Sequence, residues 1–321
     1  MIREKDGIHI ERDRLYVADS RNSKGDVNIV SHAHFDHLHM DENKVVCSEH
    51  TASLAEARTG NKVSFTEKTE NIELIPSGHI IGSSAALIEE CGERILYTGD
   101  FSAEDRAYMN GFQPPKADTL IIESTYGIPA YRFPSHREVK SRIADWIDSN
   151  SQPLFLYGYS LGKAQKIQSI VQEVTERPIV AHGAVEKMNE AVEKVSDQKF
   201  RAKSYTDNKD LLGENGIFIG PTRSARKESM NSFVEKVGGV KAGFSGWAST
   251  DSYMYRGGYD KTFVLSDHAD FDGLVETVKR VDPEKVYTTH GFDEALASYL
   301  SRELGFKAKA LKKNQTSLTD F

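Results

Sequence analysis

SHAHFDHLH, residues 31–39, follows directly on the apolar run Val27-Asn28-Ile29-Val30 and packs four histidines and an acid into nine positions. A buried strand that ends in so many titratable groups is building something at its tip. In an extended backbone His32 and His34, two residues apart, project to the same side. Asp36 and His37 follow in a tight turn and can face a second point, which makes two ligand pairs in six residues. Imidazole with carboxylate and no thiolate suits zinc, manganese or iron. The bland alternative is a histidine-rich surface loop, and the preceding strand argues against it. His39 and His50 fall outside the pattern and read as ordinary surface or supporting residues.

Other segments share this layout, an apolar strand running into a polar residue. IELIPSGHIIGSSA offers His79, flanked by Gly78 and Gly82, which let backbone approach closely. RILYTGDF offers Asp100, TLIIESTYG offers Glu123, TFVLSDHADF offers His268 and KVYTTHGF offers His290. Any one alone is more often a satisfied polar residue than a ligand. Together they sit at strand-to-loop junctions, where α/β sheets build sites.

The 321 residues, 38% hydrophobic and 28% charged, are those of a globular protein with room for one large domain or two ordinary ones. No apolar stretch approaches the roughly 18–20 residues of a membrane span, and MIREKDGIHIERD has no signal-peptide core. The expectation is a cytoplasmic protein with no membrane partner. Cys47 and Cys91 lack CxxC spacing, which excludes a zinc ribbon or disulfide framework and reads as two buried small hydrophobes. Net charge is −7, unevenly spread: residues 131–245 carry 18 Lys+Arg against 14 Asp+Glu, so the middle is net positive.

The first third alternates short apolar runs with turn signals and reads as a strand-rich sheet. In the middle, strands alternate with helices: helix 136–149, strand 153–157, helix 162–175, strand 178–181, helix 184–195, strand 216–220, helix 224–237, strand 239–244. That rhythm predicts a parallel doubly wound sheet. After about 250, a strand ending in FVLSDH, a helix near 271–280, the strand KVYTTH and a helix near 293–304 are too few for a domain and must complete the first sheet. The pattern is one sandwich domain, 1–130 and 246–321, interrupted by an inserted domain, 131–245.

HAHFDH, GHIIGSSA, YTGDF, ESTYG, SDHAD and THG occur in the order typical of the metallo-β-lactamase superfamily, and the chain resembles its β-CASP nucleases over essentially its whole length. ESTYGIPAYRFP, LGKAQKI, PIVAHGAVEKMN and GWAS followed by FVLSDHADFDGL are similar to exonucleases associated with DNA ligases, and equally to archaeal mRNA 3′-end processing factor-like proteins. The resemblance implies an α/β fold, an αββα sandwich with an inserted β-CASP domain. It also implies two divalent ions, zinc by default with manganese accepted. His32, His34 and His79 would hold one, Asp36, His37 and His290 the other, and Asp100 would bridge them. His268 matches the general acid and Glu123 its orienting partner; a structural hydrogen-bonded pair is the plainer alternative. The activity implied is hydrolysis of phosphodiester bonds in single-stranded DNA or RNA, leaving 5′-phosphate and 3′-hydroxyl ends, with a DNA ligase or helicase as partner. Histidine at His290 goes with RNA processing in the broader family, whereas the similarity to ligase-associated proteins points to DNA.

Within the insertion, Ser160, Gly162 and Lys163 lie where a strand runs into a helix, a design that suits phosphate. Thr222 and Arg223 in GPTRSARK repeat it, although a βαβ turn without a ligand looks much the same. Ser245, Gly246 and Trp247 stand where the chain leaves the insertion, and Trp247 can stack on a base or fill core. His182 is a further phosphate or sugar contact. A net-positive domain beside a catalytic one suggests a cleft that admits a single strand more readily than a duplex. The competing functions are a small-molecule hydrolase of the same fold, acting on thioesters or lactams, and a binding protein with a vestigial site. The Glu123/His268 pair and the insertion speak against the first, and the complete ligand set against the second.

Overall fold

The computed structural model describes residues 1–22, 24–38 and 44–311; His39 lies outside the described residues. The chain divides into two compact units. The first contains Met1–Glu104, Met109–Arg132 and the chain from His268 onward; the second contains Asp105–Tyr108 and Phe133–Asp267.

In the first unit, strands β1 (Ile2–Glu4), β2 (Ile8–Glu11), β3 (Leu15–Ala18), β4 (Val27–Ile29), β5 (Val45–Val46) and β6 (Phe65–Thr66) form one sheet in that order. Strands β7 (Ile72–Pro76), β8 (Ser84–Glu90), β9 (Glu93–Tyr97) and β10 (Thr119–Ser124) begin a second. Helix α1 (Glu49–Thr59) lies between β5 and β6. The sequence pattern does not announce it, because its buried residues, Thr51, Ala52, Leu54 and Ala55, include only one bulky hydrophobe.

The second unit contains helix α2 (His136–Asp148), β11 (Leu154–Gly158), α3 (Lys163–Val174), β12 (Ile179–Ala181), α4 (Gly183–Val195), β13 (Lys203–Ser204), α5 (Leu211–Glu214), β14 (Ile217–Pro221), α6 (Glu228–Lys236), β15 (Val240–Phe244), α7 (Asp251–Gly257) and β16 (Lys261–Phe263). Its six strands run in the order β13-β12-β14-β11-β15-β16, and every pairing is parallel. Each pairing joins strands separated by a crossover, as parallel strands must be. Local chemistry supports these elements. Ser135 and Glu138 close a reciprocal capping box on α2, whose Val139, Ile143 and Ile147 stack at four-residue spacing into the core.

The strand of FVLSDH departs from expectation. Lys261–Phe263 pairs with β15 as the edge of the second unit's sheet instead of completing a sheet of the first unit, and the second unit runs on to Asp267, past 245. Phe263 stacks on Phe244 at a centroid distance of 5.2 Å, an aromatic contact that accompanies the backbone pairing. Helix α8 (Phe271–Val281), β17 (Lys285–Gly291), helix α9 (Asp293–Leu304) and β18 (Ala308–Ala310) then return to the first unit, where the second sheet reads β18-β17-β10-β9-β8-β7.

One core of the first unit lies between its sheets, where Ile8, Ile10, Tyr16 and Ile29 meet Ala86, Ile88, Ile95 and Ile121. The other covers the outer face of the second sheet, where Leu87, Leu96, Leu120 and Ile122 pack under Leu274, Val278, Leu296 and Leu300 of α8 and α9. Two facing sheets with helices packed on the outer face of the second are consistent with the expected sandwich. The sequence TLIIES of β10 is buried throughout, as a strand between two parallel neighbours must be. Cys47 is buried, but Cys91 is exposed in the turn between β8 and β9, contrary to expectation, because its φ of +53° places it in a reversal of the chain. Among the described residues no helix is long and apolar enough to cross a membrane.

Candidate metal centre

The site lies in the first unit, where strand ends deliver their polar residues. Beyond β4, His32 Nε2 is 3.0 Å from His34 Nδ1, and His79 Nε2 is 3.2 Å from the same atom. Asp100 Oδ2 lies 3.6 Å from His32 Nε2 and 3.7 Å from His79 Nε2. Tetrahedral zinc, with Zn–N of about 2.0–2.1 Å, sets neighbouring donors about 3.3 Å apart, so the four converge as the vertices of such a site. The protons agree. Ser31 Oγ donates to Asp19 Oδ2 at 2.6 Å and accepts from His32 Nδ1 at 2.9 Å, which leaves the His32 Nε2 lone pair facing inward. Burial, with the neighbouring imidazoles, holds the His32 pKa well below its ordinary value, so the ring is neutral, as a ligand must be.

His79 reaches this point through a tight loop. Its backbone N–H and that of Ile80 both donate to Ser83 Oγ, at 3.1 and 3.2 Å. Gly78, at φ +72°, has no room for a Cβ, which would stand 2.5 Å from the carbonyl oxygen of Asn110.

A second group adjoins the first. His37 Nε2 lies 3.5 Å from Asp100 Oδ2 and 3.6 Å from Asp36 Oδ2. Asp100 thus stands at nearly equal distance from His32, His79 and His37, where its carboxylate could be shared between the two groups of donors. Burial pushes the Asp100 pKa up. Burial also pulls His37 down, but the carboxylates of Asp100 and Asp19 outweigh it and hold the ring at about 10. The site stabilises positive charge at this point, as a proton or as a divalent cation. Asp36 is largely exposed. His290 is exposed and stands farther out, its ring centroid 6.2 Å from that of His37. It is the extra residue of a bulge, since β10 pairs Glu123 with Thr289 and Ser124 with Gly291, and its φ is +59°.

Asp19 was not singled out from the sequence. It follows β3 at φ +50° and accepts from Ser31 N (2.7 Å), Ser31 Oγ (2.6 Å), Tyr97 Oη (2.7 Å) and His37 Nδ1 (2.9 Å). Burial pushes Asp19 up, but His37 and the Ser31 donors outweigh it and leave the carboxyl ionised. Its only signal in the sequence is a polar VADS after an apolar run.

Glu123 is buried at the end of β10, and both carboxylate oxygens face His268 Nδ1, at 2.9 and 3.0 Å. Burial raises the Glu123 pKa, but His268, Thr125 and the Phe101 N–H lower it further than that. His268 Nδ1 is 4.0 Å from Asp100 Oδ2, so the pair borders the metal-ligand cluster.

In the second unit, Ser160, Gly162, His182, Thr222, Arg223, Ser245, Gly246 and Trp247 all follow the carboxyl ends of parallel strands, at β11, β12, β14 and β15. Lys163 is the exception to its expected role. It is 2% exposed, and its ammonium turns inward to the Leu265 carbonyl and Asp267 instead of toward solvent phosphate. The Gly162 N–H is also occupied, by Gln165 Oε1 at 2.8 Å. His182 caps α4, accepting from Ala184 N at 3.1 Å, and Ser245 Oγ accepts from Trp247 N at 3.2 Å. Arg223 and Trp247 are exposed.

Residues 261–311, which carry His268 and His290, match the RMMBL family model, described as a Zn-dependent metallo-hydrolase RNA specificity domain. A probable DNA ligase of Opitutus terrae is 34% identical over 310 residues, 91% of this chain and 29% of that protein. These matches support the resemblance to the β-CASP nucleases of the metallo-β-lactamase superfamily. Cleavage and polyadenylation specificity factor subunit 3 of Dictyostelium discoideum is 37% identical to this chain over 120 residues, 35% of the chain and 15% of that protein. The chain thus spans less than a third of the length of either relative. A protein of unknown function from Enterococcus faecalis V583 shares the fold with a TM-score of 0.58 at 15% identity, covering 82% of this chain and 74% of that one. The family and the converging imidazole and carboxylate donors together make this a divalent-metal site.

Proposed function

We propose that the chain is a phosphodiesterase acting on single-stranded nucleic acid as an exonuclease, with DNA favoured slightly over RNA. The observation that carries this reading is the Glu123–His268 pair beside Asp100. An ionised, buried Glu123 accepting from Nδ1–H keeps the second ring nitrogen of His268 for a proton in transit, which is the requirement of a general acid. Hydrolysis of thioesters or lactams on a metal needs no such pair.

His32, His34, His79 and Asp100 would hold one ion, and Asp36, His37, His290 and Asp100 the other. When bound, such ions would supply Lewis-acid activation of a water and positive charge for the phosphoryl oxygens. Zinc fits the histidine-rich first set, and manganese is accepted by the carboxylate-richer second. Asp19 holds His37 in the tautomer that presents Nε2. As the attacking oxygen bonds to phosphorus and the bond to the 3′ oxygen breaks, His268 gives that oxygen its proton, and 5′-phosphate and 3′-hydroxyl ends result.

A single strand is favoured because Tyr159, Trp247 and Tyr255 of the second unit are 66%, 38% and 77% exposed. Exposed aromatic faces suit bases that are unpaired. Arg223, Thr222, Ser160, His182, Ser245 and Gly246 are the contacts proposed for the backbone and sugars. Similarity along 91% of the chain to a protein named as a probable DNA ligase supports DNA and a ligase partner. The RNA specificity named for residues 261–311 supports RNA as a second reading.

The test is cleavage of end-labelled single-stranded DNA and RNA of matched sequence, with their duplexes, in zinc or manganese, by wild type and His268→Ala. The reading expects single strands to be cut and His268→Ala to be slower by about 10²–10⁴-fold. Equal cutting of blunt duplex would remove the single-strand preference, and no cutting with either metal would remove the nuclease.

A further inference from the structure

Leu265, Ser266 and Asp267 are three consecutive residues of irregular backbone after β16, and each is held by a buried cation of the second unit. The Lys163 ammonium donates to the Leu265 carbonyl, and Arg106 Nη1 donates to the Ser266 carbonyl at 2.6 Å. Asp267 receives both lysines, Lys163 Nζ at 2.9 Å on one oxygen and Lys166 Nζ at 2.6 Å on the other. Lys163, Lys166, Arg106 and Asp267 are all at most 7% exposed. No strand pairing fixes these residues, so side chains supply what a sheet ladder would otherwise provide.

Stability alone accounts poorly for this cluster. Two buried ammonium groups share the Asp267 carboxylate, and apolar residues of similar volume are often neutral or stabilising in such a position. Burial pulls the Lys163 pKa down to about 7, against Asp267 and with Lys166 and Arg106, so the arrangement carries an electrostatic cost. Buried ionic groups impose one geometry where apolar packing tolerates several. The next residue in the chain is His268.

We infer that Lys163, Lys166, Arg106 and Asp267 are positioning residues for His268, fixing the segment that delivers its ring to Glu123. This rests on the reading of His268 as general acid, and a misplacement of about 1 Å in such a group can cost about 10²-fold in rate.

The test uses the full chain, loaded with metal, and two substrates. One is a single-stranded oligonucleotide, whose 3′ oxygen must be protonated as it leaves. The other is the p-nitrophenyl ester of thymidine 5′-phosphate, whose nitrophenolate leaves without a proton. Lys166→Met and Asp267→Asn are expected to lower kcat on the oligonucleotide by about 10-fold or more with KM unchanged and to leave turnover of the ester largely unaffected, the same split between substrates that the general-acid reading expects of His268→Ala. Lys166→Arg is expected to restore the oligonucleotide rate. Equal losses on both substrates, or a change in KM alone, would overturn the inference and leave a structural cluster. If His268→Ala were equally slow on both, the general-acid reading would fail and the inference with it. Should Lys166→Met not fold, the near-isosteric Asp267→Asn decides between the same outcomes.

Discussion

Asp19 Oδ2 lies 2.9 Å from His37 Nδ1, and this contact fixes which nitrogen of His37 faces Asp36 and Asp100. Removing a partner of this kind typically costs 10–100-fold in metal affinity. Asp19→Asn is therefore expected to weaken metal binding by about that factor while the fold persists, as read by competition with a chromogenic chelator. Unchanged affinity would show that His37 is oriented by other contacts.

In the proposed mechanism Glu123 orients the proton donor and does not hold metal, so its loss is expected to have a different signature. Glu123→Gln is expected to lower kcat by about 10–100-fold with two equivalents of metal retained. Metal analysis on the assayed sample checks this, since a loss of metal in parallel with kcat would assign Glu123 to the ligand set.

The second unit contains an independent pH probe. Burial, aided by Lys166, Arg106 and Lys140, pushes the His136 pKa from 6.5 down to about 4, and its Nε2 accepts from Ala107 N at 3.2 Å. Between these values the unfolded chain binds the proton and the folded chain does not. Stability therefore rises with pH from about 4 to 6.5 and is lost as pH falls through that window. Melting temperature against pH is expected to have a shallower acid limb in His136→Gln, whose amide oxygen can accept the same N–H. An identical limb would assign the acid sensitivity to other groups.

Base stacking on the exposed aromatics has a measurable worth. Tyr159→Ala and Trp247→Ala are each expected to weaken single-strand binding by about 1–3 kcal/mol, measured by fluorescence anisotropy in chelator. Equal weakening for duplex would point to a general loss of surface and not to stacking.

Much of the centre was readable because strand periodicity and ligand chemistry agree: His32 and His34 share a side, and Asp100, Glu123 and His268 each end an apolar run. Asp19 escaped notice because a lone aspartate after a strand has the same appearance whether it caps a turn or orients a ligand. Lys163 was misread for a related reason. A lysine at a helix start promises an anion site, and only the tertiary fold reveals that its ammonium is turned inward toward Asp267. The second unit's alternation of strand and helix was plain from Val139 to Phe244, yet β16 was assigned to the wrong sheet. It pairs with β15, the strand before it in the chain, and Phe263 stacks on Phe244 across that pairing, a contact that strand periodicity alone does not reveal. Helix α1 lacked a bulky apolar stripe to mark it.

In the proposed mechanism Asp100 would join two ions into one phosphodiesterase site. Titration of zinc or manganese into metal-stripped protein, with cleavage of a labelled single strand followed at each step, tests this. Little cleavage is expected at one equivalent and full activity as the second binds. Full activity at one equivalent, or two bound ions without cleavage, would contradict it.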